Sequence, residues 1–170
     1  RDLIGWDDFD RPDTTSTLGT SSCGQVWHDS SSFRVQRGSA VKVAGGSTRR
    51  TCAHFNPGRR NIRAGVWVNT PASGDFDCGF VLRSPSSGTN RMLFVAACHS
   101  TSTVRLFGRT PTADNQLASE TVAFELGRRY LFEVEDLDDT IRFLVDGVAV
   151  LTYTLDDVDT YITVGETNYT

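Results

Sequence analysis

The stretch from Asp77 to His99, DCGFVLRSPSSGTNRMLFVAACH, decides the fold. Two runs rich in β-branched and aromatic residues, 78–83 and 91–98, flank a segment of Ser, Pro, Gly, Thr and Asn. These five residue types favour turns, whereas the flanking runs have the composition of strands. The stretch therefore predicts a β-hairpin whose turn is centred on Gly88.

The register of this hairpin predicts which residues face the core. Direct opposition about the turn pairs Leu82 with Phe94 and Cys78 with Cys98. Because side chains alternate between the two faces of a strand, one set of residues should share the core. This set is Cys78, Phe80, Leu82, Met92, Phe94, Ala96 and Cys98. The opposite face is too apolar for an ordinary solvated sheet, which makes it a candidate interaction surface.

Four cysteines lie in this Ser/Thr/Gly-rich chain, a composition that fits an oxidising environment. Their positions, 23, 52, 78 and 98, match no zinc pattern such as paired C-x-x-C, so no metal site is expected from them. The hairpin register predicts a Cys78–Cys98 disulfide, and elimination leaves Cys23–Cys52 as the second pair. The alternative is four buried free thiols.

Length and charge bound the class of protein. At 170 residues the chain fits one domain over residues 1–170, long enough to bury a core without metal or disulfide. Its net charge of −4, from 21 acidic and 17 basic residues, argues against nucleic acid as a partner. No apolar run approaches the ~20 residues of a membrane span, so no membrane insertion is expected. The chain lacks an initiating methionine, and we expect a processed product or a fragment of a longer chain.

The rest of the chain continues the pattern of short strands. Further segments have strand-like composition, among them a short hairpin of 33–36 with 40–43, and the segments 62–68, 104–107, 117–124, 130–135 and 141–145. Asp146-Gly147 is typical of a type I′ hairpin turn, which pairs Val145 with Val148 and Phe143 with Val150. No window has a sustained helical period. The sequence therefore predicts an all-β, antiparallel protein, either a sandwich or a jelly roll.

Acidic residues crowd the beginning of the chain, at Asp7, Asp8, Asp10 and Asp13. Hard cations need several carboxylate and carbonyl oxygens within reach, but no D-x-D-x-D-G loop is present. Two interpretations remain, a structural calcium site or solvated acids beside Arg11. No other cofactor is expected.

Six short motifs follow one another in a recognisable order. They are Asp8-Phe9-Asp10-Arg11, Thr17-Leu18-Gly19, Gly24-Gln25-Val26-Trp27, Gly79–Arg83, Gly127–Val134 and Val145-Asp146-Gly147. Through these motifs, which span almost its whole length, the chain resembles the concanavalin A-like lectin/glucanase jelly roll in its laminin-G-like form. It is similar to domains appended to phage minor tail and tail-fibre proteins and to bacterial surface proteins. The resemblance implies a two-sheet jelly-roll sandwich, glycan or surface binding, and an extracellular or virion-surface location.

The same scaffold also carries glycosidases, which makes the acids of Glu133-Val134-Glu135-Asp136-Leu137-Asp138 a candidate catalytic strand. They occupy the three offsets of a laminarinase-type Glu-x-Asp-x-x-Glu strand, but two of the three are the wrong residue type. A simpler interpretation is a cross-strand ion pair of Arg142 with Glu133 or Glu135, followed by a turn at Asp138-Asp139. We therefore expect no catalytic residues and keep hydrolase activity as an alternative.

The outward residues of the central strands predict a binding surface. In sequence order these strands present arginines, aromatic residues and glycines but no acid, and arginine forks and aromatic faces suit sugar rings and anionic groups. The candidate ligand-binding residues are Arg63, Trp67, Arg83, Arg105 and Phe107. The first hypothesis is a non-enzymatic glycan- or cell-surface-binding module of a phage tail or other surface-exposed assembly. The alternative is a structural module whose face contacts other subunits of a virion.

Overall fold

The structure, a computed structural model, describes residues 7–15, 17–24, 33–37, 40–42, 61–83, 92–109 and 113–155. The chain divides into two compact units, Arg1–Pro57 and Gly58–Thr170. In the first unit, β1 (Phe33–Val35) and β2 (Ala40–Lys42) form an antiparallel pair. The single domain over residues 1–170 stays a prediction.

The second unit contains two antiparallel sheets of four strands each within the described residues. The strands are β3 (Ile62–Asn69), β4 (Asp77–Arg83), β5 (Met92–Cys98), β6 (Thr103–Arg109), β7 (Asp114–Thr121), β8 (Arg129–Leu137), β9 (Thr140–Val145) and β10 (Val148–Thr154). The first sheet has the order β10-β9-β8-β3, and the second sheet has the order β4-β5-β6-β7. The described part of the chain contains no helix, and the predicted all-β fold class is confirmed.

The two sheets pack face to face around one apolar core. Phe132 and Phe143 of the first sheet and Leu93 and Leu106 of the second sheet are fully buried in it. The ring of Phe80 lies 6.1 Å from that of Phe143, across the sandwich. Burying a side chain of this size stabilises the fold by about 1.5–3 kcal/mol, so these residues hold the sheets together. The arrangement confirms the two-sheet sandwich and fits the predicted jelly roll.

The β9–β10 hairpin forms largely as its sequence predicts. Asp146 and Gly147 have φ of 51° and 81°, as a type I′ turn requires, and Val145 lies opposite Val148. The register then shifts, so that Phe143 lies opposite Leu151 instead of Val150. The correction comes from a β-bulge, which inserts one unpaired residue into one strand and moves every later pair by one position.

The β4–β5 hairpin departs from its predicted register for the same reason. Arg83 pairs with Leu93 as expected, but a bulge between Val81 and Arg83 leaves Leu82 as the extra residue. Val81, instead of Leu82, therefore lies opposite Phe94. The inner face of β4 is as predicted, whereas that of β5 is inverted. Its core residues are Leu93, Val95 and Ala97, in place of Phe94, Ala96 and Cys98. The side chain of Met92, also predicted for the core, is not among those described.

This register also corrects the predicted disulfide between β4 and β5. Asp77, and not Cys78, lies opposite Cys98, so the two cysteines belong to opposite faces of the sheet. Cys78 is a free thiol on the inner face. Its burial, together with the nearby Asp77 and Cys98, raises the pKa of the thiol to about 12. Cys52 lies outside the described residues, and the Cys23–Cys52 pair stays a prediction.

Two strand glycines differ in the space beside them. A Cβ at Gly79 of β4 would lie 1.8 Å from the carbonyl oxygen of Val95, a distance that no side chain tolerates. A Cβ at Gly65 of β3 would lie 3.2 Å from Cγ of Glu133, a flexible side chain that can move. The second sheet therefore depends on a glycine at position 79 for the close approach of β4 and β5.

Candidate functional site

The five predicted ligand-binding residues divide between the two sheets. Arg63 and Trp67 belong to β3 of the first sheet, whereas Arg83, Arg105 and Phe107 belong to β4 and β6 of the second. The prediction of one shared patch is wrong because β3 pairs with β8 instead of β4, so the chain changes sheet between β3 and β4. Their role in binding stays a prediction, and the side chain of Arg83 lies outside the described residues.

The outer face of the second sheet is largely closed to solvent at its aromatic residues. Phe94 and Phe107 lie opposite each other on β5 and β6, and their rings stack with centroids 4.9 Å apart. Phe94 is only 3% exposed and Phe107 is half-buried. Arg105, also half-buried, donates from Nε to Oγ1 of Thr103 at 2.9 Å. This face therefore offers no open aromatic ring to a ligand in the described residues.

The outer face of the first sheet, called the open face from here on, combines charged residues with an exposed aromatic ring. Cross-strand pairing arranges its residues in three rows. The first row is Arg63, Glu135, Arg142 and Thr152; the second is Gly65, Glu133, Leu144 and Ala149; the third is Trp67 and Leu131. Arg63, Glu135 and Arg142 thus lie towards one end of the open face, and the indole ring lies towards the other.

Trp67 is the aromatic anchor of the open face, with 55% of its surface exposed. The guanidinium carbon of Arg129 lies 4.6 Å from the indole centroid, which is cation–π geometry. Arg129 is on β8, diagonally across from Trp67, where Asn69 is its direct partner. Sequence reasoning missed Arg129. Alternation from the inward Tyr130 points it outward, but only the β3–β8 pairing brings it to Trp67.

An ion-pair network crosses the charged end of the open face. Arg63 donates to Oε1 of Glu133 at 2.8 Å and lies 3.4 Å from Oε1 of Glu135. Arg142 lies 3.7 Å from Oε2 of Glu135, its direct cross-strand partner. The predicted pairing of Arg142 with one of these glutamates is therefore confirmed. Beside it is a shallow concavity of about 240 Å³, lined by Glu135, Leu137, Asp138, Thr140 and Arg142.

The acids of the candidate catalytic strand do not all lie on one side of the sheet. Glu133 and Glu135 are bound to Arg63 on the open face, whereas Asp136 is buried, with 5% exposed, on the inner side. Asp138 lies in the β8–β9 turn, where its Oδ1 accepts a hydrogen bond from Nδ2 of Asn61 at 2.8 Å. Retaining hydrolysis requires two carboxyl groups on either side of one glycosidic bond. Glu133 and Glu135 share the open face, but both are already engaged by Arg63, which matches the ion-pair interpretation.

The acidic segment near the N-terminus is held by an arginine. Arg11 forms a fork with Asp7, with NH1–Oδ1 and NH2–Oδ2 distances of 2.6 and 2.9 Å. Asp13 accepts from the backbone N–H of Arg37 at 2.8 Å. In the parts of the chain that the structure describes, no three His, Cys, Asp or Glu residues are grouped as metal ligands would be. Asp7 is therefore buried in an ion pair, with 2% of its side chain exposed, instead of solvated. The structural calcium site stays a prediction.

Within the described residues no helix is long and apolar enough to span a bilayer. No protein-family model and no curated protein matches the sequence. Among solved structures, the chain is similar to the carbohydrate-binding module CBM66 from Bacillus subtilis. The TM-score is 0.45 and the sequence identity 12%, over 58% of this chain and 69% of that chain.

Proposed function

We propose that this chain is a non-enzymatic glycan- or cell-surface-binding module and that the open face is its binding site. The observation that carries the proposal is the exposed indole of Trp67, which is 55% exposed with the guanidinium of Arg129 against it. A large exposed aromatic ring on a rigid sheet is costly to leave in water and is typical of an interaction site.

The chemistry of the open face supports a sugar as the ligand. An indole ring packs against the apolar face of a sugar ring, while arginine forks donate hydrogen bonds to its oxygens. Both kinds of group occur here on adjacent strands, because Trp67 lies on β3 and Arg129 on β8. Strands hold such groups more rigidly than loops do, which lowers the entropy cost of binding.

The residues that we assign to the site are Trp67 and Arg63, from the sequence prediction, together with Arg129. Arg83, Arg105 and Phe107 are proposed as a secondary surface on the other sheet. The sequence resemblance to phage tail and bacterial surface domains supports a place in a phage tail or other surface-exposed assembly. The corresponding location is extracellular or on a virion surface, with other structural subunits as further partners.

A glycan array and a pull-down on bacterial cell walls test the proposal. We expect the wild-type protein to bind a defined glycan and Trp67→Ala to lose about tenfold or more in affinity, because an aromatic anchor usually dominates a binding site. Val148→Ala is the matched control, since Val148 is 65% exposed and pairs with Val145, outside the rows of the open face. Equal loss in both variants, or none in Trp67→Ala, would contradict the assignment.

A subunit-interface function is the second candidate, and one observation favours it. Among the described strands, β3 lies at the edge of the first sheet, and Val66 and Trp67 are 41% and 55% exposed there. Exposed apolar side chains on an edge strand also suit a protein partner. Analytical ultracentrifugation distinguishes the candidates: a dimer that Trp67→Ala dissociates, in a protein that binds no glycan, supports the interface.

A further inference from the structure

The glutamates of the open face are already used by one arginine. Arg63 lies 2.8 Å from Glu133 and 3.4 Å from Glu135, so a single guanidinium holds both carboxylates. Arg142 approaches Glu135 only at 3.7 Å, and its side chain is 50% exposed. An ion pair of that length in water is weak, which leaves most donors of Arg142 available to a ligand.

Arg129 makes fewer charged contacts than Arg142 does. Its guanidinium lies over the Trp67 ring, and no carboxylate is within ion-pair distance of it in the part of the chain that the structure describes. A guanidinium carries five N–H donors and no acceptor, so a group packed against an indole face can still donate at its edge. Arg129 thus has unused cationic donors beside Trp67. The carboxylate at this end, Asp146, accepts from the N–H of Leu131 and is paired with Arg128 at 3.1 Å.

We propose that the ligand of the open face is an acidic polysaccharide, whose oxyanions bind Arg129 and Arg142 while one of its sugar rings packs on Trp67. This inference rests on the proposed function and specifies its substrate class. A guanidinium fork matches a planar carboxylate and also a phosphate, and charge-assisted hydrogen bonds of this kind are about twice as strong as neutral ones. A neutral sugar would leave the cationic donors without their best partner.

The spacing of the two arginines predicts an extended ligand. Arg129 and Glu135 are six residues apart on β8, which is about 20 Å at the rise of a strand, and Arg142 lies beside Glu135 on β9. Gly65, between the two ends on β3, has no side chain to block the path. One sugar ring cannot reach both ends, whereas a linear chain lying along the strands can. The acids Asp138 and Asp139 lie beyond the last row, in the β8–β9 turn.

Isothermal titration with two pairs of matched polymers tests the inference. The first pair is polygalacturonate and its methyl ester, which differ only in charged carboxylates; the second is phosphorylated dextran and dextran. We expect the charged member of at least one pair to bind about tenfold or more tightly, and the pair that shows it identifies the oxyanion. Raising the salt from about 50 to 500 mM should weaken that binding several-fold, because exposed charges are screened.

Variants connect the charge preference to the two arginines. Arg129→Gln should reduce the preference for the charged polymer to about twofold or less, and Arg142→Gln should reduce it partly. Arg109→Gln is the control, because Arg109 lies on β6 of the other sheet and already pairs with Asp114 at 3.8 Å. A preference that survives Arg129→Gln, or that Arg109→Gln removes equally, would overturn the inference.

The inference and the proposed function can fail separately. If neutral and charged members of both pairs bind equally and Trp67→Ala abolishes both, the binding site stands and the acidic ligand is wrong. If no polymer and no array glycan binds, both are wrong. Circular dichroism of each variant confirms that a loss of binding is not a loss of fold.

Discussion

The outer faces of the two sheets were predicted from the same alternating sequence pattern. In the structure, one face exposes its aromatic ring to solvent and the other buries it. On the first sheet, Trp67 is 55% exposed among charged residues. On the second sheet, Phe94 is 3% exposed and stacked on Phe107. The sequence predicted that Trp67 and Phe107 would point outward on one shared face, and it placed Phe94 in the core. Alternation therefore identifies which side of a sheet a residue occupies, but it does not tell whether that side meets water.

This difference in exposure predicts that one face contributes mainly to stability and the other mainly to binding. A buried aromatic ring contributes to the stability of the fold through its lost contact with water, whereas an exposed one contributes little. Phe94 should therefore act mainly on folding, and Trp67 mainly on binding. Substitutions at the two positions should separate stability from affinity.

The largest expected effect comes from truncating these two rings. Phe94→Ala should lower the free energy of unfolding by about 3 kcal/mol, the usual cost of removing a buried phenylalanine ring. Trp67→Ala should lower it by less than about 1 kcal/mol, because most of its ring is in water. Urea denaturation measures both losses, with unfolding monitored by far-UV circular dichroism, since one variant lacks a tryptophan. Similar losses at the two positions would mean that the two faces do not differ as described.

The next comparison uses one glycine from each sheet. Gly79→Ala should destabilise by about 2 kcal/mol or more, since its Cβ would lie 1.8 Å from the Val95 carbonyl oxygen and would force β4 and β5 apart. Gly65→Ala should change stability by less than about 1 kcal/mol, because Glu133 can move aside. Thermal melts of the two variants measure the contrast, and a Gly79→Ala protein as stable as wild type would refute the close strand approach.

The smallest expected effect is a pH dependence that reports the face of Cys78. Its folded pKa is raised to about 12 from an ordinary value near 9. The thiol therefore ionises first in the unfolded chain, so stability is full below pH 9 and is lost as the pH rises towards 12. Between pH 8 and pH 10 the loss should be about 1 kcal/mol.

The control for this titration is Cys78→Ala, which should remove that part of the pH dependence while leaving the contribution of other groups. Urea denaturation at a series of pH values measures the slope for both proteins. If the two proteins lose stability equally with rising pH, the thiol has the same pKa in the folded and unfolded chains. Cys78 would then lie on the solvent side of β4 and not in the core.

The sequence predicts the fold well where the determinants are local. The β8–β10 meander follows from alternation and from one Asp-Gly turn, and even the Glu135–Arg142 pair could be inferred. It fails at Leu82 and Val150, because a bulge adds one residue and no residue type marks its position. The false Cys78–Cys98 disulfide is a direct result of the first of these bulges.

The candidate site can be predicted from sequence only in part, because alternation is local and strand pairing is not. The outward direction of Arg63 and Trp67 follows from alternation in β3. The residues beside them cannot be predicted in this way, because β3 pairs with β8 and four strands lie between the two in the chain. Strands that are consecutive in sequence are neighbours in a sheet only about two times in three. Arg129 could not be recognised until that pairing was known, and Arg105 and Phe107 could not be separated from Trp67.

The long-range β3–β8 pairing also has a consequence for the order of folding. Within each sheet the other strands join sequence neighbours through short connections, but Asn69 and Arg129, which pair, are 60 residues apart. Closing so long a loop is entropically costly and slow compared with forming a hairpin. We therefore expect β3 to dock late, onto meanders that have already formed. Since Trp67 meets Arg129 only through this step, the face that we propose for binding is completed at the end of folding, and incompletely folded molecules lack it.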